Sequence, residues 1–334
     1  MAKVAGTMTT YGAVGDREDL EDAIYRITPS EAPLIQLIGT TKVTAVRHDW
    51  QTDKLATPKQ NAQVEGDDYT FETREPTKRV ANFTQISWTP VIVSETQDAV
   101  QKAGRDSELG YQVAKAGVEL KKDMEFSCLS NVGSASGDDD TPRVSAGLPA
   151  WLTSNADRGA GGANGGYSAN TGLVAAATPG TQRLFTKDLL DNVIQLAYQS
   201  GGNPTVIMGS PFNKRQFSKF MSDANVAPFR RPVQDNKKQG VILAAADVYQ
   251  SDFGELDFIP NRVMSEAGPD VARNVFIIDT SKLARGVLRP MKQDTPAKTG
   301  DANKRVIKTE WTLVVRNEAA HGVIADTFGM TATA

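Results

Sequence analysis

Between Gln63 and Ser94 the chain reads QVEGDDYTFETREPTKRVANFTQISWTPVIVS, and this stretch restricts the fold more than any other. Tyr69 and Phe71 alternate with polar residues, and a charged patch of Glu72, Arg74, Glu75, Lys78 and Arg79 follows. Apolar residues become dense only from Ile86. There Ile86, Trp88 and Ile92 share a face, and Pro90 marks an edge strand or a bulge. Upstream, KVTAVRHDWQTDKL alternates so that Thr44, Val46, His48 and Trp50 fall on one side, which predicts a partner strand. Residues 56–79, polar and broken by Pro58, Gly66 and Pro76, lie between them as the tip. The pattern predicts a hairpin arm over residues 43–93, with strands of about 15 residues reaching about 50 Å. A lone two-stranded hairpin is marginal in water, so such an arm must lie on something other than its own core.

The remaining chain can build that core. It has 334 residues, 40% hydrophobic and 23% charged, which are ordinary globular values and need no disulfide or metal for support. That length admits one large domain or two to three small ones. The single cysteine, Cys128 in MEFSCLSN, excludes an intrachain disulfide and reads as a buried structural thiol. A net charge of -3 and a pI of about 5.6 argue against a dedicated nucleic-acid binder, while leaving weak DNA contact through local basic patches. No run of about 18 apolar residues predicts a membrane span. The start, MAKVAGTMTTYGAVGD, lacks the apolar stretch of a secretory signal, so a cytosol-like compartment is expected.

Residues 1–15 read as an arm and DREDLEDAIYRI (Asp16 to Ile27) as a short helix. SETQ at Ser94 has capping-box spacing and opens a helical pattern from Gln97 to Ser130, about 50 Å as one helix, with Gly104 and Gly110 as places to kink or split it. Residues 133–180 are rich in Gly, Ala, Ser and Asn and read as a long loop or insertion anchored by GLPAWLTSN. From Phe185 the texture is compact and mixed. A helix over KDLLDNVIQLAYQSGG follows the cap Thr186, then a buried strand PTVIMGS, a helix PFNKRQFSKFM and a basic loop NVAPFRRPVQDNKKQG. Strands turning at DFGE, a strand VFIIDT, and a long alternating strand KRVIKTEWTLVVRNE complete the α+β pattern. No internal repeat is present.

Chemistry is sparse. His48 and His321 are far apart and belong to no His/Cys/Asp cluster with metal spacing. GAGGANGG follows no strand and opens no helix, so the phosphate-loop context fails. SDFGE lacks the other kinase elements and reads as a turn, MGSPF is no nucleophile elbow, and GDDDT lacks the EF-hand register. No catalytic residue, cofactor or metal is predicted. Extended arms, a long helix and an α/β body suit a chain whose surface is meant for copies of itself.

In this order the parts resemble the Hong Kong 97 (HK97-like) fold of tailed-bacteriophage major capsid proteins. The resemblance extends to motifs. It is carried by IYRITPSEAPLIQLIGTTKVTAVRHDWQTDKL (Ile24 to Leu55, with the Pro29 and Pro33 spacing and Trp50-x-x-Asp53), GLPAWLTSN, DVYQSDFGELDFIPNR (Asp247 to Arg262) and KTGDANKRVIKTEWTLVVRNEAAHGVI (Lys298 to Ile324). Nearly the whole chain is covered; the glycine-rich insertion at 156–172 departs from the pattern. The resemblance implies an N-terminal arm (1–42), an extension loop (43–93), a spine helix (97–130) within a peripheral segment (94–184), an axial domain (185–273) and return strands to the peripheral domain (274–334).

It also implies a function: a major capsid protein assembling as hexamers and pentamers into the icosahedral head around dsDNA. Self is then the chief partner, with a separate scaffolding protein, a portal, a possible decoration protein and non-specific dsDNA on the inner face. The place is the virion, with assembly in the bacterial cytoplasm and no membrane. No long coiled-coil extension precedes the arm, which is why the scaffold is expected to be a separate protein, and with Met1 at the start no large N-terminal removal is expected. Some relatives crosslink an arm lysine to an asparagine; Lys54 and Lys59 lie on the arm, but the sequence offers no matched partner and no crosslink is predicted. Trp50, Tyr69, Phe71 and Trp88 are the expected aromatic anchors between subunits, although Trp88 could instead pack under the hairpin on its own body. Arg74, Lys78 and Arg79 would pair with acidic patches next door at ~0.5 kcal/mol each, and Arg230 and Arg231 lie on the basic loop. Two alternatives stand: an encapsulin-like nanocompartment shell with protein cargo, and an α/β hydrolase.

Overall fold

The computed structural model describes residues 31–69, 71–220 and 247–331. The predicted helix at 16–27 and the basic loop with Arg230 and Arg231 lie outside these residues.

A helix over Glu108–Leu129 is the longest element. Ser107 caps it by accepting the Gly110 N–H at 3.1 Å. Ala116, Leu120, Met124 and Cys128, each four apart, form its buried stripe. The predicted single helix is in fact two. Glu95–Ala99 is a separate short helix, capped by Ser94 as the SETQ pattern required. The chain then turns through Gly104 at φ +73°, a conformation an L side chain resists. Asp98 fixes the join by accepting the N–H groups of Glu108 at 3.0 Å and Leu109 at 3.4 Å, so one helix caps the next. Gly110 sits inside the first turn of the longer helix and does not break it.

Two sheets flank this helix. The first has four strands in the order Gly39–Lys42, Leu283–Asp294, Ala302–Val315, Gln85–Ser94, with the first pair parallel and the rest antiparallel. The second has six: Ala156–Asp157, Gly322–Ile324, Val275–Ile278, Val206–Gly209, Gly254–Pro260 and Val248–Ser251. Helices Lys187–Gln199 and Pro211–Phe220 pack beside it. Val275–Ile278 is buried on both faces. Val275 and Ile277 join a core with Phe185, Leu190, Phe217 and Phe258. Phe276 and Ile278 join the larger core of Leu34, Met124, Leu129, Trp151 and Trp311.

Three expectations change. The two arm strands do not make one long hairpin. Arg47–Thr52 pairs with Lys78–Phe83 over six residues, and at Thr84 the chain leaves that ladder so that Gln85–Ser94 joins the four-stranded sheet instead. Val43 to Val46 likewise separates Arg47–Thr52 from the strand Gly39–Lys42. Second, the glycine-rich stretch folds on itself. Gly166–Ser168 pairs with Leu173–Ala175, Ala163 bridges Thr178, and Ala156–Asp157 lies parallel to Gly322–Ile324. Third, Leu283–Asp294 is a long strand where none was predicted. Pro90 does lie on an edge strand, as expected.

Candidate inter-subunit surface

The arm is bolted to the body at its root. Asn82 is fully buried. Its amide donates to Ser145 Oγ at 3.1 Å and the Leu313 carbonyl at 2.8 Å, and its oxygen accepts the Phe83 and Ala146 N–H groups at 3.0 Å. Thr84, where the strand changes sheets, donates to Glu310 Oε1 at 3.0 Å. Glu310 is buried and also takes Arg143 at 2.8 Å and Arg289 at 2.7 Å. Trp50 lies 5.4 Å from Trp151, which stacks on Tyr167 at 6.2 Å. Tyr167 belongs to the glycine-rich hairpin, so that insertion is a shelf under the root. Asp49 and Arg79 pair across the ladder at 2.8 Å. Burial works against the Asp49 charge, but the Arg79 hydrogen bond and the Arg47 and Arg79 charges outweigh it and hold its carboxyl below the ordinary range.

Beyond the root the shelter stops. Every described residue from Asp53 to Arg79 is exposed, and no regular ladder joins the two legs. Val64 to Asp67 make the tip turn, closed by the Asp67 N–H on the Val64 carbonyl at 3.2 Å with Gly66 at φ +87°. Lys59 and Glu72 pair across the legs at 3.2 Å while both remain largely in water. Phe71 is 94% and Tyr69 85% exposed. Leaving two aromatic rings in water is unfavourable for an isolated chain, since burying one is worth about 2 kcal/mol.

A second bare surface lies on the four-stranded sheet. One face of Gln85–Ser94 and Ala302–Val315 packs on the long helix through Val91, Ile307, Val113, Ala116 and Leu120. On the other face, among the described residues, Ile86 (48%), Trp88 (60%) and Ile92 (65%) are open to water.

The family model described as "SU10 major capsid protein" matches residues 4–328. The chain belongs to that family. A major capsid protein of Escherichia phage Phieco32 is 29% identical over 97% of each chain. The fold is the α+β, HK97-like one. A solved structure titled "Capsid of native GTA particle computed with C5 symmetry" matches at a TM-score of 0.60 and 14% identity, covering 97% of this chain and all of that one. The holo-SrpI encapsulin of Synechococcus elongatus shares the fold at a TM-score of 0.53 and 11% identity, over 95% and 94% of the two chains.

Within this capsid family member, the residues singled out as anchors separate into two groups. Tyr69, Phe71 and Arg74 stand exposed on the limb, Lys78 is exposed at its root, and Trp88 stands exposed on the sheet rather than under the hairpin. Trp50 instead packs half-buried on its own core, and Arg79 already has Asp49. Sequence patterns did not reveal Asn82, Arg143 or Glu310, because each depends on at least one partner more than 60 residues away. Glu125 was also missed. It accepts the Leu34 and Ile35 N–H groups at 2.8 Å and the Asn261 amide at 2.6 Å, tying the long helix to the segment before the arm. Burial pushes its carboxyl up, against those three donors. Cys128 is buried, and burial raises its thiol well above the ordinary value, with Glu125 adding to it. His321 is buried and held neutral, its pKa lowered to about 4 by burial against the pull of Asp279. No helix among the described residues is long and apolar enough to cross a membrane.

Proposed function

We propose that the chain assembles as hexamers and pentamers into the icosahedral shell of a tailed-phage head, and that residues 53–77 of each copy lie across a neighbour. The observation that carries this is the limb itself: two legs of about a dozen residues, each able to span about 40 Å, with every described side chain in water. A charged limb is soluble before assembly, where an apolar one would aggregate. Each exposed ion pair it forms is worth about 0.5 kcal/mol, weak enough for misplaced subunits to leave a growing shell. In this reading Glu108–Leu129 is the spine helix. The four-stranded sheet belongs to the peripheral domain, and the six-stranded sheet with Lys187–Gln199 and Pro211–Phe220 forms most of the axial domain. The chain carries out no catalytic step. A scaffolding protein, a portal and dsDNA on the inner face complete the partners, with assembly in the host cytoplasm.

The encapsulin likeness concerns the fold alone, whereas the family match favours a phage head. Negative-stain microscopy and sedimentation of the purified chain test the reading. Closed shells without enzyme cargo are expected; a stable monomer under all assembly conditions, or shells that select an enzyme cargo, would contradict it.

A further inference from the structure

The glycine-rich stretch builds a reactive pair into the chain. We infer that Asn164 is a self-modification site: it deamidates by attack of the Gly165 backbone nitrogen when this stretch opens, and the closed stretch holds the reaction back. Asn164–Gly165 is the chain's one Asn-Gly sequence. With no Cβ on the following residue, the backbone nitrogen has free approach to the side-chain carbonyl carbon of the asparagine.

The fold calls for both residues. A Cβ on Gly165 would lie 2.1 Å from the Ala175 carbonyl oxygen and 2.7 Å from the Ala176 carbonyl carbon, so a side chain there has no room. Asn164 ties two segments together. Its side-chain oxygen accepts Arg158 Nε at 2.6 Å, and its amide donates to the Thr153 carbonyl at 2.9 Å. Arg158 reaches on to the Pro149 carbonyl at 3.3 Å and the Leu152 carbonyl at 3.4 Å. With both polar atoms held, the asparagine must break two hydrogen bonds before its carbon can swing onto the Gly165 nitrogen. The backbone is held as well, by Ala163 against Thr178 on one side and Gly166 against Ala175 on the other. Asn164 is itself exposed, so water reaches it.

The step is a cyclisation. A bond forms between the Gly165 nitrogen and Asn164 Cγ, the nitrogen gives up its proton, and the Cγ–Nδ2 bond breaks with loss of ammonia. Water then opens the succinimide at either carbonyl, leaving aspartate or isoaspartate. The two products differ in what they do to the fold. Aspartate sets a charged oxygen against the Arg158 guanidinium, whose hydrogen-bond partners are neutral oxygens, and gives up the bond to Thr153. Isoaspartate adds a methylene to the main chain between the Ala163 and Gly166 ladder positions, where Gly165 leaves no space for a single extra carbon. A chain carrying it cannot close this stretch again. Tyr167, two residues beyond Gly165, then loses its stacked place on Trp151 under the limb root.

Peptide mapping of the full chain tests this. Samples are held at one pH and temperature, folded in buffer or unfolded in guanidinium chloride, and the peptide carrying Asn164 is followed by mass and by its isoaspartate content. In the unfolded chain Asn164 should convert faster than each other asparagine and give isoaspartate as well as aspartate. In the folded chain conversion should be about tenfold slower or more, because the stretch must first open. Arg158→Lys keeps the charge and removes the Nε–H, so it should speed the reaction in buffer several-fold and leave the unfolded rate unchanged, with near-ultraviolet circular dichroism establishing that the variant is folded. Should that variant not fold, the natural chain in guanidinium chloride below its unfolding transition gives the same reading: conversion should climb as the denaturant opens the stretch. Unfolded chain without isoaspartate at Asn164 overturns the site. Equal rates folded and unfolded, a folded Arg158→Lys chain that reacts no faster, or a rate that stays flat below the transition overturns the protection.

Discussion

The limb at 53–77 and the glycine-rich stretch at 156–180 look alike in composition, both polar and poor in large apolar residues, yet one stands in water and the other closes into a compact knot. The difference lies in what the backbone is allowed to approach. A Cβ on Gly159 would lie 2.0 Å from the Thr181 carbonyl oxygen, and one on Gly165 would lie 2.1 Å from that of Ala175. Without side chains at these points, carbonyls and N–H groups of one strand reach the next directly. Gly162, Ala163, Thr178 and Thr181 are hydrogen-bonded inside the knot. The limb has bulky charged side chains in place of these glycines. Apart from the tip turn, its backbone groups have no partner strand to meet. A polar segment is thus packed or bare according to its glycine placement, and composition alone does not distinguish the two.

The largest effect should come from breaking the knot. Gly159→Val forces a side chain into the Thr181 carbonyl and should cost about 4 kcal/mol or more of subunit stability, read by denaturant unfolding of the unassembled chain. Any single substitution at an exposed limb position should stay within about 0.5 kcal/mol.

The floor of the knot should also respond to pH. Asn155, at the knot's entry, donates to the His321 carbonyl at 2.8 Å. His321 Nδ1 accepts the Asp279 N–H at 3.2 Å. The folded chain keeps His321 neutral down to about pH 4, while the unfolded chain takes up a proton near its ordinary value of 6.5. Protonation therefore favours the unfolded state, and stability should fall by roughly 3 kcal/mol as pH drops from about 6.5 through about 4. His321→Gln, which keeps an acceptor but does not titrate, should flatten that slope.

At the limb root, Arg79→Ala should lower the unfolding midpoint only slightly, a loss that shrinks in high salt because the Asp49 pair is partly exposed. Smallest of all, Glu72→Gln should leave the unfolding midpoint unchanged, since the Lys59–Glu72 pair is screened by water on every side.

These contrasts mark what could be read from residues alone. The long helix was legible as a helical pattern, because apolar spacing of three and four is encoded locally. Its length was not, because Asp98 ends one helix and caps another across the turn at Gly104. The exposed face of Ile86, Trp88 and Ile92 was legible as a shared face, but its being bare was not, since only the position of the helix decides which side is covered. The pivot at Thr84 was hidden, as it depends on Glu310 far along the chain. Leu283–Asp294 escaped notice because Arg285, Arg289, Lys292 and Pro290 interrupt its apolar alternation. The limb was predicted as a hairpin of full length. Its polar legs supply no cross-strand apolar pairs, and the ladder ends with the last such support, Trp50 opposite Val80, a short way from Thr52.

The most direct measurement replaces residues 53–77 with a short Gly-Ser linker joining Thr52 to Lys78, and compares subunit unfolding with particle formation. Unfolding should be unchanged within about 0.5 kcal/mol while sedimentation shows no full-sized shells. Normal shells from that variant, or a subunit that loses several kcal/mol, would contradict a limb whose packing partner is another copy.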